Sequence, residues 1–271
     1  MSGRIKVGVI GCGTIGSEIA KVCTRRRGFG MTLEALCDQD SEKARSLKAL
    51  LRTKARVLKI EELIRVSDVV VEAASASASA DILEKCIRRR KRCMIMSVGG
   101  ILFRKDLLVK AQKAGVDVYL PSGAVCGIDG LKSSLAGRID SVTLTTRKPA
   151  MGLAGAPYLT DRGIDLSGIS EEEVVFEGNA EEAVRGFPKN INVSAVVSLA
   201  GIGAKRTTVR IVASPEISRN IHELVVEGEF GRITATTENV PSRSNPKTSA
   251  LAAFSALSTL ERINRSVHIG T

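Results

Sequence analysis

Residues Lys6 to Gly16 read KVGVIGCGTIG, an apolar strand running straight into Gly11-Cys12-Gly13-Thr14-Ile15-Gly16. A helical pattern follows in Ile15, Ile19 and Val22. This placement constrains the fold more than any other feature of the chain. A G-x-G-x-x-G is informative when a strand feeds it and a helix leaves it. Gly11 then permits the tight turn, Gly13 lets a diphosphate approach the backbone, and Gly16 lets helix and strand pack closely. Thr14 and Ile15 open the helix whose N-terminus would receive the anion. The next predicted strand, Met31 to Cys37, ends in Asp38, 22 residues past Gly16. A carboxylate there would hold the ribose hydroxyls of NAD and repel a 2′-phosphate. Lys43 and Arg45 lie close in sequence and soften that bias, so NADP stays open as a second cofactor.

The first 120 residues alternate strand and helix. Strands are predicted at Ile5–Ile10, Thr32–Cys37, Val69–Ala73, Cys93–Ser97 and Val116–Leu120. Helices are predicted at Thr14–Arg26, Ser41–Leu51, Ile60–Val66, Ala78–Arg90 and Lys105–Ala114. Short apolar strands between amphipathic helices indicate an α/β, Rossmann-type parallel sheet covered on both faces. The run AASASASA (73–80) reads as a loop of small side chains able to lie close to a cofactor. After Pro121 the pattern changes. Ser141–Arg147, Glu173–Glu177, Thr207–Val212, Ile221–Glu227 and Arg232–Thr237 read as strands rich in Val, Ile and Thr. The last two flank a hairpin loop, Gly228-Glu229-Phe230-Gly231. Helices are predicted from Asn190 to Gly201 and from Ser249 to Ile263. This second part is therefore α+β, a substrate domain with an open-faced sheet. The last helix carries Leu251, Phe254, Leu257 and Leu260 at three-residue spacing, with Ala252 and Ala253 small enough for close packing. It is expected to return to the first domain. The expected division is a dinucleotide-binding domain over 1–126, completed by 246–271, and a substrate domain over 127–245.

Composition narrows the partners. The net charge is +11, with clusters at Arg25-Arg26-Arg27 and Arg88-Arg89-Arg90-Lys91-Arg92. Such runs can bind nucleic acid. Each also lies near the C-terminal end of a predicted helix, where cations suit the macrodipole. Aromatic residues are 3% of the chain and there is no Trp, which leaves little for a base-stacking platform. No nucleic-acid partner is expected. The first apolar run is the nucleotide-binding strand itself, so no secretory signal is predicted. The longest apolar stretch, Ile191 to Ala204, is broken by serines and glycines and falls short of the roughly 20 residues that span a bilayer. Six scattered cysteines without a C-x-x-C pair predict neither a zinc or other metal site nor a disulfide framework, and fit the cytoplasm.

The chain has two histidines. His268 lies in the last few residues. His222 follows the turn Ser214-Pro215-Glu216 and opens a predicted strand. A histidine titrates near pH ~6.5, which suits proton transfer. From sequence alone, a lone histidine is more often a satisfied structural residue than a catalytic one. Phe187-Pro188-Lys189-Asn190-Ile191-Asn192 puts a cation and two amides at the start of an apolar helix, and Asn245-Pro246-Lys247-Thr248-Ser249 repeats the arrangement at the last helix. Such a helix start suits a carboxylate. N-capping accounts for the amides and hydroxyls but not for two lysines, whose charge opposes the helix dipole. Both readings stand on sequence alone. In the loop Pro121-Ser122-Gly123-Ala124-Val125-Cys126-Gly127, the thiol of Cys126 reads as a small buried residue rather than a nucleophile.

PSGAVCGIDGL (121–131), FPKNINVSAVVSLAGIG (187–203), Asn220-Ile221-His222-Glu223, GEFG (228–231) and ENVPSRSNPKTSALAAFSAL (238–257), with the glycine fingerprint, resemble the L-aspartate dehydrogenase family over essentially the whole chain. The resemblance implies oxidation of L-aspartate with NAD or NADP to iminoaspartate, then oxaloacetate and ammonia after hydrolysis, in the service of NAD biosynthesis. It implies His222 as the catalytic residue and adds Ala124 and Asn190 as cofactor contacts. Two substrate carboxylates call for cationic and helix-start partners, for which Lys189, Asn192, Lys247 and Thr248 are candidates by type and position. A homodimer is expected. A related two-domain oxidoreductase acting on homoserine or dihydrodipicolinate is the nearest alternative. A non-catalytic NAD-sensing or nucleic-acid-binding protein is the alternative of another class.

Overall fold

The computed structural model describes residues 4–26, 28–188, 192–242 and 245–271, with only the backbone of Pro246 and Lys247. The chain forms two compact units, Met1–Pro121 with Ala252–His268, and Ser122–Leu251 with Ile269–Thr271.

The first unit runs β1 (Ile5–Ile10), α1 (Thr14–Arg25), β2 (Met31–Cys37), α2 (Ser41–Leu51), β3 (Arg56–Val57), α3 (Ile60–Val66), β4 (Val69–Glu72), α4 (Ala76–Arg88), β5 (Arg92–Ile95), α5 (Lys105–Ala114) and β6 (Val118–Tyr119). Its sheet is ordered β3-β2-β1-β4-β5-β6, all pairs parallel. β4 is buried at every residue, as expected of a strand covered on both faces. The strand order reverses between β1 and β4, and ligands bind such sheets at the carboxyl ends of the strands flanking that point. Local chemistry explains the helix limits. Asp40 caps α2 by accepting from the backbone N–H of Glu42 at 3.0 Å. Gly115, at φ +64°, ends α5 in the left-handed conformation that favours glycine.

The second unit runs α6 (Ile128–Ser134), β7 (Ile139–Pro149), α7 (Ala150–Leu153), α8 (Pro157–Asp161), β8 (Glu173–Asn179), α9 (Ala180–Gly186), α10 (Asn192–Ala200), β9 (Thr207–Ser214), β10 (Asn220–Gly228), β11 (Gly231–Asn239), β12 (Pro241–Ser242) and β13 (Asn245–Ser249); α11 (Ala250–Ile263) follows. The main sheet is mixed, ordered β11-β10-β7-β9-β8, with only β7 and β9 parallel. A capping box starts α9, in which Asn179 and Glu182 each accept from the other's backbone N–H. On one face, rows cross four strands: Ile233-Val226-Val142-Thr207, then Ala235-Leu224-Leu144-Val209, then Thr237-His222-Thr146-Ile211. Ile233, Val226 and Val142 of the first row and Leu224 and Leu144 of the second pack with Leu131 of α6 and Val193 and Val197 of α10. On the other face Thr234, Thr236 and Glu238 are exposed and Glu223 and Val225 half-buried.

Several sequence expectations change in detail. The strand expected over Val116–Leu120 keeps only Val118–Tyr119. Helix α4 starts at Ala76, inside the serine–alanine run, because Ser75 in an extended conformation is its N-cap. The last helix starts at Ala250, so Lys247 and Thr248 lie on β13, not in a helical first turn. The face of α11 also differs. Ala253, Ala256 and Leu260 are buried, Leu257 and Ile263 join the core of the first unit, and Phe254 is exposed. Strict three-residue spacing rotates steadily around a 3.6-residue helix, whereas 253, 256, 257, 260 and 263 stay on one side.

Candidate active site

The first unit supplies a shaped turn. Gly11, at φ +97°, donates its N–H to Cys37 O at 2.8 Å, and a Cβ on it would lie 2.3 Å from Ala73 O. A Cβ on Gly16 would meet Gly11 O at 1.8 Å. Gly13 differs: nothing lies within 4 Å of its Cβ position. It is also the N-cap of α1, which has neither a side-chain cap nor an acidic residue in its first turn. The N-terminus of α1, which Thr14 and Ile15 open, thus carries no side-chain cap and has open space at the Gly13 Cβ position. That is the cradle a diphosphate needs. Asp38 Oδ2 accepts from Cys12 N–H at 2.7 Å and Oδ1 from Asp40 N–H at 2.9 Å. This carboxylate therefore shapes the turn as well as standing at the end of β2. Burial, then the Asp38 charge, pushes the Cys12 thiol up to about 12, so it stays protonated.

The loop after β4 lies against the same turn, with Ala73 N–H donating to Ile10 O at 2.8 Å. Glu72, fully buried, anchors it. Its carboxylate accepts from Ala74 N–H at 2.8 Å, from Ser97 N–H at 3.0 Å and from Ser97 Oγ at 2.8 Å. Burial raises its pKa against the pull of these bonds.

The second unit gathers a polar cluster where the covered sheet face stops being apolar. His222 shares the phase of Leu224 and Val226 along β10, and Thr146 and Lys148 share that of Val142 and Leu144 along β7. Thr146 Oγ1 and His222 Nδ1 share a hydrogen bond of 3.0 Å. With Nδ1 engaged, Nε2 is the nitrogen left to move a proton. His222 is 4% exposed; burial first, then the Lys148 charge, lowers its pKa to about 3, so it is neutral at pH 7. Burial likewise brings Lys148, 7% exposed, down to about 8.

The loop 122–127 is fastened to β11. Asn239 Nδ2 donates to Ala124 O at 2.9 Å, Ser249 Oγ donates to Asn239 Oδ1 at 2.6 Å, and Thr237 Oγ1 accepts from Cys126 N–H at 3.2 Å. Ala124 is buried. Cys126, expected buried, is exposed, because its loop lies along the rim of β11 with the thiol turned to Thr237 Oγ1 at 3.0 Å.

Of the other sequence candidates, Asn192 is exposed at the first position of α10 and Thr248 is half-buried on β13. Lys189 and Asn190 lie outside the described residues, as does the side chain of Lys247. Sequence reasoning missed Thr146, Lys148, Thr237, Asn239 and Glu72. A signal existed for Lys148: a lysine in phase with the core positions of an alternating strand.

A glycine turn on a parallel sheet, and a buried histidine on a second sheet, define the class of nicotinamide-dependent oxidoreductases with a Rossmann-type domain. Residues 11–121 match the family model described as homoserine dehydrogenase, NAD binding domain, and residues 129–263 that described as aspartate dehydrogenase, C-terminal. An L-aspartate dehydrogenase of Methanosarcina mazei is 49% identical, over 98% of this chain and 100% of the relative. One of Bradyrhizobium diazoefficiens is 38% identical, over 100% and 95%. The crystal structure of aspartate dehydrogenase from Thermotoga maritima superposes with a TM-score of 0.71 at 25% identity, covering 98% of this chain and 99% of that one. The chain belongs to the L-aspartate dehydrogenase family.

Proposed function

We propose that this protein is an NAD(P)-dependent L-aspartate dehydrogenase that oxidises L-aspartate to iminoaspartate, which hydrolyses to oxaloacetate and ammonia and feeds NAD biosynthesis. Family membership over the whole chain supports the reaction; the carrying observation within the molecule is His222, buried, neutral and held at Nδ1 by Thr146. The nicotinamide cofactor, when bound, supplies the acceptor for the hydride leaving the substrate α-carbon. Gly11, Gly13, Thr14, Ile15 and Gly16 would hold its diphosphate and Asp38 its adenosine ribose. Ala124 and Asn190 are further proposed contacts.

His222 acts through Nε2. It takes a proton from the substrate ammonium, leaving the amine lone pair able to drive hydride departure, or from the water that attacks the imine. Lys189, Asn192, Lys247 and Thr248 remain candidates for the two carboxylates. We further propose a cytoplasmic homodimer. No described helix is long and apolar enough to cross a membrane, and the exposed sheet face bearing Thr234, Thr236 and Glu238 offers a second copy an extended surface.

The test is NADH formation, followed by absorbance, over a panel of amino acids. L-Aspartate should exceed L-asparagine and L-glutamate in kcat/KM by well beyond tenfold, because a buried cation deprived of its carboxylate is costly. Comparable values for aspartate and asparagine would reject the assignment and return homoserine to consideration.

A further inference from the structure

We propose that Lys148 is a substrate-binding residue whose ammonium, presented by β7 on the same sheet face as His222, pairs with one carboxylate of the dicarboxylate substrate. The inference rests on the L-aspartate reading above, and it concerns a residue distinct from the four carboxylate candidates named there.

Three observations carry it. The first is position. Lys148 stands two residues beyond Thr146 on β7, so both side chains leave the same face, and Thr146 is the residue bonded to His222 Nδ1 at 3.0 Å. The register sets Lys148 beside Ala213 of β9, and Thr146 beside Ile211, on the face that carries His222. The second is burial. Lys148 is only 7% exposed, and a buried ammonium is an expensive choice that a core position of this size would fill more cheaply with Leu or Met. The third is electrostatic reach. The Lys148 charge contributes to holding the imidazole of His222 in its neutral form, so the two groups act on one another through a medium that screens weakly.

The arrangement has a chemical consequence. The Lys148 charge makes His222 a poorer proton acceptor before substrate binds. A carboxylate paired with Lys148 cancels that field and raises the basicity of His222 as substrate arrives. Substrate binding and activation of the base are then one event, and a monocarboxylate placed elsewhere would not trigger it.

Lys148→Met and Lys148→Arg test this. Methionine keeps the length and volume of the stem and removes only the charge, and the melting temperature of the variant reports whether the fold is retained. The expected result is a rise in KM for L-aspartate of about 100-fold in K148M, with NADH affinity, read by fluorescence, within about threefold of the parent. K148R should recover part of the loss. Calorimetry with succinate in the presence of NADH should show binding to the parent and none to K148M. Should K148M fail to fold, K148Q gives the same comparison. Retention of aspartate KM and succinate affinity within about threefold in K148M overturns the proposal, as does a parent protein that binds no succinate. A parent that binds succinate through Lys148 but does not oxidise aspartate would instead reject the assigned reaction and leave the carboxylate site standing.

Discussion

Thr146 Oγ1 lies 3.0 Å from His222 Nδ1 on neighbouring strands, 76 residues apart in sequence, and the pair sits at the point where an apolar sheet face becomes polar. The bond fixes the ring and dedicates Nε2 to proton transfer. His222→Ala should lower kcat by roughly 10²–10⁴-fold, the usual worth of a positioned acid or base. Thr146→Val keeps the volume but frees the ring, and should cost about tenfold in kcat. NAD affinity should stay unchanged in both. Near-native turnover in His222→Ala would make the histidine structural.

Burial of His222 also predicts how stability varies with pH. Its pKa is about 3 in the folded state against 6.5 for the free side chain. Between those values the unfolded chain binds the extra proton, so stability is fully present above about pH 6.5 and is lost as pH falls toward 3. The loss should amount to a few kcal/mol, as an order of magnitude. Lys148, at about 8 against 10.5, works in the same direction at the other end, adding stability as pH climbs through that window. Urea midpoints at pH 7, 5 and 4 should fall more steeply in the parent than in His222→Asn; parallel slopes would contradict the buried neutral imidazole.

The glycines of the turn should separate cleanly. Gly16→Ala forces a Cβ to 1.8 Å from Gly11 O, and Gly11→Ala adds an unfavourable φ of +97° to a 2.3 Å clash with Ala73 O. Both should lower the melting temperature by several degrees. Gly13→Ala meets nothing within 4 Å and sits at φ −74°. It should fold like the parent yet weaken NAD binding more than tenfold, since its methyl enters the space reserved for the diphosphate. Unchanged NAD affinity in Gly13→Ala would place the diphosphate elsewhere.

Asp38 should affect the cofactor in two ways at once. Its carboxylate accepts from Cys12 and Asp40 N–H groups, so Asp38→Ala should loosen the turn and weaken NAD and NADP alike. Loss of the negative charge should also shift the NADP/NAD ratio of kcat/KM upward, by about tenfold. Asp38→Asn, which retains an acceptor, should show the shift with less of the common loss. A ratio that does not move in either variant would mean that Asp38 shapes the loop without reading the ribose.

The alternation of strand and helix in the first unit was legible because each element there announces itself locally. A run such as Val69–Glu72 is buried throughout, and the Asp40 cap and the Gly115 stop mark helix ends within a few residues. The glycine turn and Asp38 could be located for the same reason. His222 stood out by rarity and by resemblance, but the sequence was silent about its neighbours. Lys247 and Thr248 looked like a helix start because their residue types are those of caps, and only the pairing of β12 with β13 shows them on a strand. The surroundings of His222 were decided by tertiary structure. Thr146 and Lys148 come from β7, Thr237 and Asn239 from β11, and Ala124 from a loop 115 residues before the asparagine that holds it. Periodicity specifies which face of a strand a residue occupies, and that information is local. Which strands lie side by side, and in what register, follows from burying the shared apolar rows together, and that is what places a threonine and a lysine beside the histidine.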